Sequence, residues 1–253
     1  MATSVSGGLF TWESCPSTSS CTSLGRGCAT PERVPWFTPP EKVFRVACGT
    51  RHALVLTSCG VYSWGSNIYG QLGLGIHCSP VDPQTVEPAP VCLPVDCKPV
   101  LDVACGDFHS VVLSAAGQVF TFGCNWEGQL GINESQYSEN IVATGCAYEP
   151  LPVIFPGPEA DMRIYFIVAG PQTTVVAATT GQVFQWGKCV RSGIDGVCGQ
   201  INCLQPEDLK TVRDSDAPVS GPIWHSIAFA DGLVVLTRHT NSTNSAVEDP
   251  VAR

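Results

Sequence analysis

Phe44-Arg45-Val46-Ala47-Cys48-Gly49 recurs as Leu101-Asp102-Val103-Ala104-Cys105-Gly106 and, more loosely, as Tyr165-Phe166-Ile167-Val168-Ala169-Gly170. The closing glycines lie 57 residues apart (49 to 106) and then 64 (106 to 170), a period that belongs to stacked supersecondary units. Eleven residues beyond each stands a second glycine, Gly60, Gly117 and Gly181, followed by an apolar stretch that ends in an aromatic residue and glycine. Those stretches are Val61-Tyr62-Ser63-Trp64-Gly65, Val119-Phe120-Thr121-Phe122-Gly123 and Val183-Phe184-Gln185-Trp186-Gly187. A third marker completes the unit: Gly70-Gln71-Leu72-Gly73, Gly128-Gln129-Leu130-Gly131 and the degraded copy Gly196-Val197-Cys198-Gly199.

The markers predict local structure. Ala53-Leu54-Val55-Leu56, Val111-Val112-Leu113 and Val175-Val176-Ala177 are apolar at consecutive positions, as strands buried on both faces must be. Gly60, Gly117 and Gly181 close short links between two strand signals, where a hairpin turn calls for positive φ. A further strand is expected near Pro31-Glu32-Arg33-Val34, Pro83-Gln84-Thr85-Val86 and Pro150-Leu151-Pro152-Val153, with proline at the strand entry. About four short strands per repeat make one propeller blade. At the chain ends, Gly8-Leu9-Phe10-Thr11-Trp12 matches the second half of a repeat, whereas Ile227-Ala228-Phe229-Ala230 with Leu233-Val234-Val235-Leu236 matches the first half. Joining the halves would remove two exposed strand edges. The expected organisation is a propeller over 1–239, with repeats near 31–75, 83–131 and 150–199 and a composite of 217–237 with 8–27. A polar tail, 240–253, follows.

The motifs Val-Ala-Cys-Gly-x-x-His, Gly-x-Val-Tyr-x-Trp-Gly and Gly-Gln-Leu-Gly-Leu-Gly, best preserved from Gly49 to Gly75, resemble the repeat of the regulator of chromosome condensation (RCC1) family. The resemblance implies an all-β, RCC1-like β-propeller of about four blades, each with four short antiparallel strands. Members of that family typically form seven-bladed rings. Four repeats leave three arrangements open: a small closed ring, an incomplete ring that assembles with another chain, or a piece of a longer product.

Composition narrows the function. A formal net charge of −9 sets the chain against phosphate backbones and anionic lipid heads, which disfavours direct DNA binding. No stretch reaches the length of a membrane span, and the N-terminal residues carry no secretory signal pattern. The 14 cysteines are therefore expected as free thiols in a cytoplasmic chain, with the nucleus as alternative. No Cys-x-x-Cys occurs, and the glycine groups lack the Lys-Ser/Thr of a phosphate loop, so neither metal nor cofactor is expected. Cys48 and Cys105 read as small buried hydrophobes, and His52 and His109 as structural imidazoles bonded to neighbouring backbone. No catalytic residue is identified.

Two functions compete: a protein-interaction module or scaffold, and a guanine nucleotide exchange factor acting on a small GTPase. The second is implied by the resemblance, in which turns equivalent to Gly106-Asp107-Phe108-His109 face the GTPase with acidic side chains. Asp107 keeps the acid, Arg51 replaces it with a cation in the first repeat, and Gly170-Pro171-Gln172-Thr173 has neither acid nor histidine. Candidate partner-binding residues are Arg51, Asp107 and Phe108 in these turns, with Tyr69, Trp126 and Glu127 at the next loop tips, since exposed aromatics anchor interfaces. The long segments 76–99 and 132–163, the latter with Tyr137, Tyr148 and Phe155, exceed an inter-blade link and are further places to seek partners.

Overall fold

In the computed structural model, the residues described are 1–4, 7–11, 30–75, 84–132, 141, 144–155, 162–188, 202–203, 210–211, 224–230 and 233–238. Three four-stranded antiparallel sheets form the centre of the chain. The first blade runs in order through β4 (Val43–Cys48), β5 (His52–Thr57), β6 (Val61–Ser66) and β7 (Gln84–Pro90). The second holds β8 (Val100–Cys105), β9 (His109–Ser114), β10 (Val119–Cys124) and β11 (Cys146–Pro152). The third holds β12 (Ile164–Ala169), β13 (Thr173–Ala178), β14 (Val183–Gly187) and β15 (Asn202–Cys203). A three-stranded sheet of β1 (Ala2–Thr3), β2 (Leu9–Thr11) and β3 (Glu32–Arg33) precedes them. Another, of β16 (Lys210–Thr211), β18 (Leu233–Arg238) and β17 (Trp224–Ala230), follows.

The strands arise where the residue pattern requires them. Every residue of β5, β9 and β13 is buried, the consequence of flanking sheets on both faces. Their hairpins turn at Gly60, Gly117 and Gly181, which adopt φ of 146°, 83° and 89°. Adjacent blades close over shared cores. Leu54, Val61, Val103, Val112, Phe120 and Phe122 fill the space between blades one and two. Val111, Val119, Ile167, Val176, Phe184 and Trp186 fill the next. Leu9, Val34 and Phe37 from the N-terminal region pack on Ala53, Val55 and Trp64 of blade one.

The phase of the unit differs from the sequence expectation. The strands starting near 84 and 146 are hydrogen-bonded to β6 and β10, so each closes the preceding blade rather than opening the next. After the Gly-Gln-Leu-Gly turn the chain returns antiparallel to β6 or β10, whose free edge is the nearest set of unpaired backbone groups. The segments 76–99 and 132–163 are long because each contains this fourth strand. The two chain ends lie in separate sheets among the described residues: β2 pairs with β1 and β3, and β18 with β16 and β17. A β2–β18 pair, which the composite of 8–27 with 217–237 requires, is not among them. The tail 240–253 falls outside the described residues.

Candidate interaction face

The turns β4–β5, β8–β9 and β12–β13 and the loops after β6 and β10 emerge at one end of the sheets. A repeated backbone bond ties the two sets together. Ser66 N–H donates to Arg51 O at 2.7 Å, Cys124 N–H to Phe108 O at 2.9 Å, and Lys188 N–H to Gln172 O at 2.9 Å. All six predicted partner-binding residues therefore belong to one face.

The Gly-Gln-Leu-Gly loop is built by its own side chains. Asn67 Oδ1 accepts from Leu72 N–H and Gln71 Oε1 from Tyr69 N–H; Asn125 and Gln129 repeat both bonds in blade two. Ser63 and Thr121 hydroxyls donate to Leu72 O and Leu130 O, each at 2.7 Å, fixing the loop on its own sheet. Gly73 and Gly131, both at φ 63°, let the ring of the next blade seat against the loop. A Cβ would stand 2.7 Å from a Phe122 ring carbon at the first and 2.7 Å from Trp186 Nε1 at the second.

A polar clamp then crosses each blade junction. His52 Nε2 lies 3.0 Å from Ser110 Oγ, whose hydroxyl donates to Gln71 O at 2.7 Å. His109 Nε2 lies 3.0 Å from Thr174 Oγ1, which donates to Gln129 O at 2.9 Å. Because each hydroxyl hydrogen is spent on a carbonyl, each imidazole must be the donor, which fixes the Nε2–H tautomer and leaves Nδ1 bare. Among the described residues neither buried Nδ1 atom has a partner. Burial lowers the His52 pKa to about 4, partly opposed by a backbone bond at His109. Burial, with His52 as neighbour, lowers that of His109 to about 3. These are neutral structural rings. Their Nε2 partners are hydroxyls of the following blade, and the backbone of His109 adds a bond to His52.

Two other expectations are corrected. Cys48 is exposed at the end of β4, whereas Cys105 is half-buried and packs against the core between blades one and two. Phe155 packs against Phe184 and Trp186, ring centroids 5.2 and 5.9 Å apart, and so belongs to a junction core.

On the face itself, Tyr69 meets Phe108 edge-on at 5.2 Å and Trp126 edge-on at 5.0 Å, so a ridge of three rings spans blades one and two. Trp126 is 64% exposed yet fixed. Its Nε1–H donates to Thr144 O at 3.2 Å, and its ring lies over Gly145, where a Cβ would come within 2.5 Å of Cδ1. Ile68, also exposed, is held by Tyr148, whose hydroxyl donates to Ile68 O at 3.0 Å. Glu127 faces Lys188 at 3.9 Å. Asp107 accepts from the Thr50 hydroxyl at 2.7 Å, and its N–H donates to Pro171 O at 2.9 Å, so it links three successive turns. Arg51 is exposed beside them. Sequence reading missed Thr50, Thr144, Gly145 and Lys188, which lie far along the chain from the rings and acids they support. Among the described residues no group of three or more His, Cys, Asp or Glu is placed to hold a metal ion. No helix of the described residues is long and apolar enough to cross a membrane.

Known proteins share the repeat and the fold. Residues 60–113 and 116–177 match the "Regulator of chromosome condensation (RCC1) repeat", and a second description of the same repeat matches 45–71 and 100–129. The human probable E3 ubiquitin-protein ligase HERC3 is 29% identical over 77% of this chain and 17% of its own length. The human X-linked retinitis pigmentosa GTPase regulator is 34% identical over 43% of this chain and 10% of its own. The chain thus spans less than a fifth of either relative. Among solved structures, Prp20p from Saccharomyces cerevisiae, described with its binding to Gsp1p and histones, superposes with a TM-score of 0.61 at 19% identity. That match covers 88% of this chain and 50% of Prp20p, and shows the shared fold.

Proposed function

The chain belongs to the RCC1 repeat family, and on that premise we propose that it is a protein-interaction module whose partner is held by the loop face of blades one and two. The observation that carries this reading is the exposed but immobilised Trp126. An aromatic side chain held by its own hydrogen bond and a glycine platform loses little entropy on binding, so its contact area converts efficiently into affinity. Tyr69 and Phe108 extend the apolar centre, while Asp107, Glu127, Lys188 and Arg51 surround it with charge, the apolar core and polar rim of a protein-binding patch. The module acts by contact rather than covalent chemistry, in the cytoplasm or nucleus.

Capture of partners on immobilised full chain, wild type against Trp126→Ala, tests the reading. Loss of the specific partner by about tenfold or more is expected for an anchor at the centre of a patch. Equal capture by both proteins would move the site elsewhere.

A second reading, guanine nucleotide exchange on a small GTPase, is favoured by Asp107 and by the GTPase regulator among the relatives. Exchange would work by binding the nucleotide-free form more tightly than the loaded one. Release of fluorescent GDP from a panel of small GTPases checks it. The expected result is faster release for one of them, slowed by Asp107→Ala; no acceleration anywhere in the panel removes the reading.

A further inference from the structure

Directly beneath Trp126, Cys124 at the end of β10 and Cys146 at the start of β11 are register partners on neighbouring antiparallel strands. Asn125 N–H donates to Gly145 O at 2.8 Å, one step beyond them, which makes the cysteines a non-hydrogen-bonded pair. Such a pair holds its Cα atoms about 4.5 Å apart with side chains converging. That separation lies within the roughly 4.4–6.8 Å that a disulfide spans. Both thiols are free and both residues are only 3% exposed. The Cys146 thiol donates to Thr144 O at 3.4 Å, the carbonyl that also holds the Trp126 indole, and the Cys124 sulfur is its close electrostatic neighbour.

The architecture does not require cysteine here. Blade one places Ser66 opposite Gln84 at the same register and folds the same way. In blade two the neighbours act on the sulfur instead. The neighbouring Cys146 sulfur, the Trp126 backbone N–H and the Gln129 side chain hold the Cys124 thiol below its ordinary pKa, against the opposing effect of burial. The Cys146 thiol is pushed up by its bond to Cys124 and by burial. Two sulfurs at paired register, one of them with a lowered pKa, supply what an attacking and a resolving cysteine need.

We propose that Cys124 and Cys146 form a reversible dithiol–disulfide pair, oxidised by a hydroperoxide, at the root of the loop that carries Trp126. The Cys124 thiolate attacks the peroxide O–O bond, giving a sulfenic acid and releasing hydroxide. The Cys146 sulfur then attacks the sulfenic sulfur; the S–S bond forms, the C–S–OH oxygen leaves as water with the Cys146 proton, and the peroxide has taken up the two electrons. The depth of the pair selects a small oxidant. The disulfide weakens the sulfur acceptor of the Trp126 backbone N–H, removes the Cys146 hydrogen from Thr144 O and ties the strand beside Gly145 to β10, so oxidation acts on the indole platform.

The test uses the full chain, exposed to hydrogen peroxide near neutral pH, alkylated and mapped by mass spectrometry. The expected product is a peptide pair joining Cys124 to Cys146, lighter by two hydrogens and restored by a thiol reductant. Cys124 should lose alkylation about tenfold or more faster than Cys97, which burial pushes up to about 12. In Cys146→Ser, Cys124 should stop at a sulfenic acid trapped by a dione reagent; in Cys124→Ser the cross-link disappears. A wild-type map in which both residues stay alkylatable, or are over-oxidised without joining, overturns the proposal whether or not either variant folds.

Discussion

Two kinds of junction flank blade one. Toward blade two, a histidine, a hydroxyl and a loop carbonyl cross the boundary, and blade two repeats the device toward blade three with Thr174 for Ser110. Toward the N-terminal sheet, Ala53 stands where Ser110 and Thr174 stand, and the contact is apolar, through Leu9, Val34, Phe37 and Val55. The aromatic seats make the same point. Trp186 Nε1 donates to Gln129 O at 2.9 Å, while Trp64 Nε1 is buried with no acceptor among the described residues. Burying apolar surface holds sheets together at any register, whereas a three-membered polar relay works at only one. The internal junctions are specified; the N-terminal one, among the described residues, is simply covered.

The largest effect should come from filling the space the relay needs. A Cβ at Gly106 would collide with the His109 ring and with Gly170 O of the next blade, neither of which can yield without moving a junction. Gly106→Ala is expected to cost about 3–5 kcal/mol in denaturant unfolding. Gly60→Ala, where nothing lies within 4 Å and only the positive φ resists, should cost about 1 kcal/mol. Similar costs at both sites would mean that the junction is looser than the relay implies.

Acid should act next. The folded pKa values of His52 and His109, about 4 and about 3, lie below the ordinary 6.5, so the unfolded chain binds protons that the folded chain refuses. Their contribution is fully present above pH 6.5 and is lost as pH falls from there toward about 3. The denaturation midpoint should drop across that window, and His52→Gln, which keeps a donor to Ser110, should flatten the slope. An unchanged slope in that variant would show that other groups carry the acid response.

Smaller still are the single bonds. Ser110→Ala leaves His52 Nε2–H and Gln71 O buried without partners and should cost about 2 kcal/mol. The smallest pair of changes has opposite signs. Trp186→Phe loses its bond to Gln129 O and should destabilise by about 1 kcal/mol, while Trp64→Phe removes an orphaned donor and should be neutral or slightly stabilising. Thermal unfolding of the two variants side by side decides whether the N-terminal junction hides an acceptor for Trp64.

Much of the blade was readable because its requirements are local. A strand buried on both faces needs consecutive apolar residues, and a tight hairpin needs a residue free to take positive φ; β5, β9 and β13 with Gly60, Gly117 and Gly181 show both. The face was readable only residue by residue. Tyr69, Phe108 and Trp126 could be named as candidates, but their meeting depends on blade one lying beside blade two. The roles of Thr50, Thr144, Gly145 and Lys188 follow from the same placement.

By itself the amino-acid order determined the repeat, the strands, the turns and the ring that each blade offers its neighbour, since these follow from side-chain periodicity and backbone sterics within a few residues. Tertiary structure alone decided which blade the fourth strand joins, that the histidines donate across junctions, and that two cysteines more than twenty residues apart lie side by side under Trp126. Those outcomes depend on which unpaired edge and which hydroxyl happen to be near in space, and no short-range pattern encodes that.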